Sequence, residues 1–320
     1  MSTVSLKTFL HPRYWYAWPV LALMHVWSWL PGRALWVLGN ALGGLFYIFP
    51  SPARRVAVRN MELCFPSKDP GERRRLLRRH FCLSGFAVVS LGVAWWAPKW
   101  RLKRFITLRN RHLLDEPYKA GKNAILLTTN FIGLDIGAAR LSLEGDFVSM
   151  YRKSRSPFFE YLFQRRSRFG AVVVERTASL RTLIKHIRGG RPFYYLPDQD
   201  LGERASVFAP FFGVPSATVT ALSRIAQSTN AEVIPCITRI LPAGRGYELC
   251  LYPPLKDFPS DDPLADAKRM NEEVEKWVRK LFYFASDIDL ANPAVWEHQT
   301  LMVHNKAEQR ASAIRQKIVL

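Results

Sequence analysis

Residues 128–135 read Thr-Thr-Asn-Phe-Ile-Gly-Leu-Asp and set an amide, Asn130, and a carboxylate, Asp135, five positions apart. They follow the apolar run 124–127, which is short and bounded by polar residues, so it predicts a buried parallel strand. Gly133 loosens the connection, and Asp135 falls in the first turn of a helix over 134–143. Open α/β sheets place their chemistry at the carboxyl ends of strands. A polar side chain at a strand end and an acid five residues on can meet there, because the turn between them is not helical. Residue type limits what the pair can do. An amide donates and accepts hydrogen bonds but has no basic lone pair near neutral pH. A carboxylate is a weak base unless burial raises its proton affinity.

Two further loops carry charge after strand-like runs. Arg152, Lys153 and Arg155 follow 147–151, and Asp198 and Asp200 follow 192–196, with Gly202 and Arg204 beyond them. An arginine after a strand is often a salt-bridge partner, and an Asp-x-Asp pair often caps a turn. At three strand ends together they mark a substrate-binding cleft, with Phe208, Phe211 and Phe212 as an apolar wall. Cys64, Cys82, Cys236 and Cys250 have no metal-like spacing, so they read as reduced, mostly buried thiols and no metal site is expected.

The elements that must position these residues alternate from residue 119 onwards. Strands fit 124–129, 147–151, 171–175, 192–196, 232–240 and 246–252. Helices fit 134–143, 157–169, 179–189, 218–229 and 262–283, the third stopped by Gly189-Gly190. This order predicts an α/β fold, a mostly parallel sheet covered by helices on both faces. The last two strands are close in sequence and predict an antiparallel pair at the sheet edge. Residues 285–320 lose the pattern and read as a divergent tail. The chain thus divides into an N-terminal anchor (1–50), a basic helical region (51–118), the α/β domain (119–284) and the tail (285–320).

Charge and hydropathy add a partner. The 320 residues carry 46 Lys and Arg against 26 acids, a net charge of +20, which calls for an anionic partner. Residues 14–49 contain a single formal charge, Arg33, and two apolar runs, 15–30 and 34–49. Each falls short of the ~20 residues that span hydrocarbon, so they suit a tilted span or a hairpin dipping into one leaflet. Trp15, Trp18, Trp27, Trp29 and Trp36 suit the membrane interface. The next segment, 51–111, has 15 Lys/Arg and 3 acids. Positive charge beside an anchor faces the cytoplasm and attracts anionic headgroups. Nucleic acid fits poorly, since the basic residues cluster beside the anchor without a recognition motif.

The chain resembles the late acyltransferases of bacterial lipid A biosynthesis, the lauroyl/myristoyl transferase family. The residues that carry the resemblance are LHPRYW (10–15), RNMELCFP (59–66), TTNFIGLD (128–135), MYRKSRSP (150–157), RFGAVVVER (168–176) and LPDQDLGERASVFAPFFGVPSATVTALSRIA (196–226), with 233–249 and 269–278 extending it. The resemblance implies a glycerolipid-acyltransferase-like domain on the cytoplasmic face of the inner membrane. It implies transfer of a fatty acyl chain from an acyl carrier protein thioester, with no cofactor, to a hydroxyl of an anionic glycolipid acceptor. It assigns the dyad base position to Asn130, the acid to Asp135, the nearby arginine to Arg152, and the site-shaping carboxylates to Asp198 and Asp200, with Arg204 in the same loop.

Two departures stand out. The family's dyad histidine is Asn130 here, and loss of a general base typically costs ~10²–10⁴ in rate. His186, His112, His298 and His304 offer no evident replacement. The tail also lacks the family's closing aromatic and cationic stretch, keeping only Trp296-Glu297-His298. A non-catalytic lipid- or carrier-binding paralogue and a glycerophospholipid acyltransferase are the alternatives, the latter weakened because 175–178 read Glu-Arg-Thr-Ala.

Overall fold

A computed structural model describes residues 4–49, 51–129, 132–151, 153–175, 180–197 and 206–287. The N-terminal apolar runs form α1 (Ala17–Trp27) and α2 (Gly32–Ile48), followed by α3 (Pro52–Cys64) and α4 (Pro70–Trp96). At 1.5 Å per residue, α1 and α2 are about 16 and 26 Å long, each short of a ~30 Å hydrocarbon core. Their inner faces pack on α4, the one described helix long and apolar enough to cross a membrane, which is itself two-thirds buried over its apolar stretch. Close approach explains the glycines there. A methyl on Gly39 or Gly43 of α2 would strike the backbone of α4 at Phe86 or Phe81, and one on Gly85 would strike Gly39 in return. The outer face of α1 and α2 is apolar and exposed, with Trp15 and Trp18 before and within α1, Trp29 in the turn, and Val37, Leu38, Phe46 and Ile48 on α2. The hairpin is therefore neither a detached anchor nor a buried core pair; one face docks on the protein and the other is open.

The first strand comes earlier than the alternation predicts. After α5 (Lys99–Phe105), β1 (Ile106–Arg109) enters the sheet from the basic region. A short helix, α6 (Glu116–Lys119), leads to β2 (Asn123–Leu127), and the chain then runs α7 (Leu134–Leu141), β3 (Val148–Tyr151), α8 (Pro157–Gln164), β4 (Val172–Glu175), α9 (Leu180–Arg188) and β5 (Phe193–Tyr195). Next come a hairpin, β6 (Ser206–Phe211) and β7 (Val214–Val219), and then α10 (Ala221–Thr229), β8 (Ala231–Ile240), β9 (Tyr247–Leu251) and α11 (Pro263–Asp287).

The described strands of the main sheet lie in the order β1-β9-β8-β2-β5-β3-β4. From β8 to β4 all neighbours are parallel; β9 is antiparallel to β8, and β1 is parallel to β9. The antiparallel pair expected of the last two strands is present, but it is interior, because β1 covers the outer side of β9. Alternation along β2 divides the core. Ile125 and Leu127 pack with Leu183, Ile187, Leu222 and Ile225 of α9 and α10, while Ala124 and Leu126 pack with Leu141 of α7 on the other face. Burial on both faces is what a continuous apolar run in a parallel strand requires. Phe86 of α4 stacks on Tyr247 of β9 at 5.4 Å between centroids, binding the helical hairpin layer to the sheet.

Candidate active site

The carboxyl ends of β2, β5 and β3 form one mouth. These strands are adjacent and parallel, and each leads into one of the loops singled out by sequence. Asn130, Arg152, Asp198, Asp200 and Arg204 lie outside the described residues; their flanks define the mouth. Thr128 extends the β2–β5 ladder by donating its N–H to the Tyr195 carbonyl at 3.0 Å. Thr129 is buried, and its hydroxyl has no hydrogen-bond partner among the described residues. A buried hydroxyl in that condition costs stability until something bonds to it.

Asp135 occupies the first turn of α7, where a carboxylate complements the helix dipole. The helix is seated by three contacts. Gly133 and Gly137 lie so close to Thr238 of β8 that a methyl on either would overlap its side chain. The buried Tyr194 hydroxyl donates to the Leu134 carbonyl at 3.4 Å, and Arg140 donates to the Ile106 carbonyl at 3.0 Å. Burial holds the Tyr194 phenol well above its ordinary value, so it stays a donor.

Both oxygens of Asp135 lie within ion-pair distance of Arg166, and one accepts a hydrogen bond from it. Nε lies 2.8 Å from Oδ1, and a terminal nitrogen donates to Oδ2 at 2.9 Å. The Arg166 guanidinium sits 4.4 Å over the Phe163 ring, a cation–π contact that helps hold it in place. Sequence reading passed over this arginine: it belongs to the run Gln164-Arg165-Arg166-Ser167-Arg168, which follows a short helix, and a cluster of three cations next to a helix end was the available signal. The other two act on α4. Arg168 donates to the Trp95 carbonyl at 2.6 Å and to the Ala97 carbonyl, and Arg165 lies over the Trp96 ring at 5.2 Å. Burial, with a smaller push from Arg165, pulls the Arg168 guanidinium down to about 10, still charged at neutral pH.

The loop after β3 is held by Glu160 of α8, also missed by sequence. This buried carboxylate accepts from the Ser154 N–H at 2.9 Å and from the Tyr151 hydroxyl at 3.3 Å. Lys153 and Arg155 thus flank a pinned backbone. The aromatic wall expected of Phe208, Phe211 and Phe212 does not form as one surface. Phe211 is buried in the core, Phe212 packs edge-on against Phe65 at 5.9 Å, and Phe208 is exposed. They lie on the β6–β7 hairpin, whose turn residues Phe212 and Gly213 both have positive φ; Phe211 and Phe212 meet edge-on at 5.0 Å, and strand alternation turns Phe208 away from them. Of the histidines weighed as a replacement base, His112 and His186 lie toward the amino ends of the strands, and His298 and His304 lie outside the described residues. Among the described residues no group of His, Cys, Asp and Glu is arranged to hold a metal ion.

Comparison with known proteins gives this geometry its family. The model for bacterial lipid A biosynthesis acyltransferases matches residues 3–281. The chain belongs to that family. It is 33% identical to the lipid A biosynthesis lauroyltransferase of Escherichia coli K12 over 84% of this chain and 88% of the relative. The palmitoleoyltransferase and the myristoyltransferase of the same organism are 28% and 29% identical, over 86% and 85% of this chain and 90% and 85% of theirs. A likeness to the crystal structure of the 1-acyl-sn-glycerophosphate acyltransferase PlsC of Thermotoga maritima has a TM-score of 0.34 at 15% identity, over 78% of this chain and 97% of that one. That value is too low to carry the glycerophospholipid alternative. The protein is an acyltransferase of lipid A biosynthesis, and Asp135, the acid expected from its sequence, is the residue that Arg166 holds.

Proposed function

We propose that the protein moves a fatty acyl chain from an acyl carrier protein thioester to a hydroxyacyl hydroxyl of an anionic lipid A precursor, at the cytoplasmic face of the inner membrane. The observation that carries this reading is Asp135, ion-paired and hydrogen-bonded with Arg166 at the mouth of β2, β5 and β3 in a chain of this family. The acceptor oxygen attacks the thioester carbonyl; the new C–O bond forms, the C–S bond breaks, and the hydroxyl proton ends on the departing sulfur. Asn130 hydrogen-bonds the hydroxyl and takes no proton. Asp135, paired with Arg166, serves as a negative charge that orients the acceptor side. Arg152 and Arg204 attract the acceptor's anionic groups, and Asp198 and Asp200 shape the opposite loop. No cofactor takes part.

The open apolar face of α1 and α2 supports the membrane contact, as a hairpin lying in one leaflet beside the basic helices α3 and α4, with the α/β domain, which β1 joins from residue 106, below it. The net charge of +20 suits both an acidic carrier protein and an acidic glycolipid.

The test is acyl transfer by purified full-length protein, with a long-chain acyl carrier protein and a lipid A precursor. Asn130→His raises turnover by roughly 10²–10⁴, the worth of a general base, and Asp135→Ala abolishes it in both backgrounds. Binding of donor and acceptor without turnover in the His variant would instead identify a non-catalytic paralogue, a reading that Asn130 itself favours. Equal rates with Asn and His would remove the base position from residue 130.

A further inference from the structure

A pocket of about 290 Å³ lies between α2, α3 and the first two turns of α4, and the reaction described above does not use it. Its lining includes Tyr47, Arg54, Glu62, Arg73, Arg74 and Leu77. Three arginines line it against one glutamate, and Glu62 is already paired with Arg59 at 3.1 Å. Gathering like charges around a hollow is unfavourable unless an anion occupies it. Arg54 is positioned for that role, with its guanidinium stacked 4.9 Å over the Tyr47 ring. Arg73 reaches the Phe65 and Pro66 carbonyls only at 3.4 and 3.3 Å, and each guanidinium has five N–H donors, so most stay available.

The surroundings specify the anion. Leu45, Phe46, Ile48 and Phe49, which flank the pocket's Tyr47 in sequence at the end of α2, are exposed large apolar residues, as is Val58 of α3, which lines the pocket. A cationic hollow set next to an open apolar strip matches the boundary of a bilayer, where phosphate and hydrocarbon adjoin. A flat basic patch would suit an acidic protein; a concave site with an apolar margin suits one lipid molecule. The pocket is also at the opposite end of α4 from the arginine cluster that holds Asp135. Arg74 and Trp95, whose carbonyl is held by Arg168, are 21 residues apart on α4, or about 30 Å along the helix axis.

We infer that this pocket binds the phosphate of an anionic bilayer phospholipid, whose acyl chains run along the exposed end of α2, and that it thereby sets the depth and orientation of the enzyme on the membrane. The inference rests on the membrane-contact part of the proposed function and not on the acyl-transfer chemistry.

The test uses full-length protein in neutral detergent, with phosphatidylglycerol, phosphatidylcholine and glycerol 3-phosphate as probes and native mass spectrometry as the readout. Wild type retains phosphatidylglycerol at least tenfold over phosphatidylcholine. Arg54→Gln with Arg74→Gln loses that preference, while its melting temperature and its rate of transfer to micellar lipid A precursor remain within twofold or a degree of wild type. The single variant Arg74→Gln, expected to lose the preference in part, replaces the pair if the pair does not fold. Competition by glycerol 3-phosphate as effective as the whole lipid would overturn the inference in favour of a soluble-phosphate site. Retained lipid preference with lost binding of acyl carrier protein would overturn it in favour of a protein dock. Because activity is read separately, an inactive enzyme that still selects phosphatidylglycerol would count against the acyl-transfer reading alone.

Discussion

The two ends of α4 use arginine in opposite ways. At the carboxyl end, Arg168 and Arg165 are consumed by the Trp95 and Ala97 carbonyls and the Trp96 ring, and their neighbour Arg166 by Asp135. At the amino end, Arg54 of α3 and Arg74 of α4 line an open hollow, beside Arg73, which also reaches the Phe65 and Pro66 carbonyls. A guanidinium that satisfies orphaned helix carbonyls builds the site, since the last turn of any helix leaves such groups unpaired. One that faces a hollow is left for a ligand. The same residue type, counted equally in the net charge, therefore performs two jobs set only by what it touches.

The contrast can be broken most forcefully between the two ends, at the α2–α4 seam. Gly85→Leu has no room against the backbone at Gly39 and Gly43, so α2 must lift from α4. We expect a loss of more than about 3 kcal/mol, or failure to fold, with both ends disturbed together; thermal unfolding in detergent checks it, and a near-wild-type melt would mean the helices do not approach as described. Next comes Arg168→Gln, which leaves two carbonyls at the end of α4 poorly satisfied and should cost about 1–3 kcal/mol. The same substitution type at Arg74 leaves the melt where it was, and a comparable loss at both positions would erase the distinction between building and binding arginines.

The smallest effect is a pH dependence away from both ends. Glu248 of β9 is buried between Arg109, at 2.8 Å, and Arg239. Burial pushes its carboxyl up, but the Arg109 hydrogen bond and the Arg239 charge outweigh that and hold it below the ordinary value. A folded-state value below the unfolded one means that the stabilisation is complete above the unfolded carboxylate range, about 4.3, and fades as pH falls through the folded value. Melting temperature should therefore be steady from neutrality to about pH 5 and drop below that. Glu248→Gln should start lower and flatten the drop; an unchanged acid slope would assign it to other carboxylates.

Much of this architecture was legible in the chain. The run Ala124–Leu127 gave β2 because an apolar stretch that short has to be buried on both faces, and Asp135 fell in the first turn of α7 as its spacing from Gly133 required. β1 was not legible: Ile106–Arg109 is four residues long in a basic stretch, and it is a strand only because β9 offers an edge 141 residues later. The β6–β7 hairpin hid for a similar reason. Its prolines, Pro210 and Pro215, argue against a strand, and Asn271 of α11 supplies the tertiary bonds that hold it, to the Pro210 carbonyl at 3.0 Å and the Thr218 hydroxyl at 2.9 Å. The Arg166 grip on Asp135 spans 31 residues, a partnership that spacing alone does not encode.

The most direct test of acyl transfer at this mouth is the intact mass of lipid A from cells lacking the gene and carrying either the wild-type protein or Asp135→Ala. Wild type should restore a species heavier by one fatty acyl chain, and Asp135→Ala should leave the lighter precursor. Restoration of the heavier species by Asp135→Ala would contradict the account, because the carboxylate held by Arg166 would then have no part in the reaction.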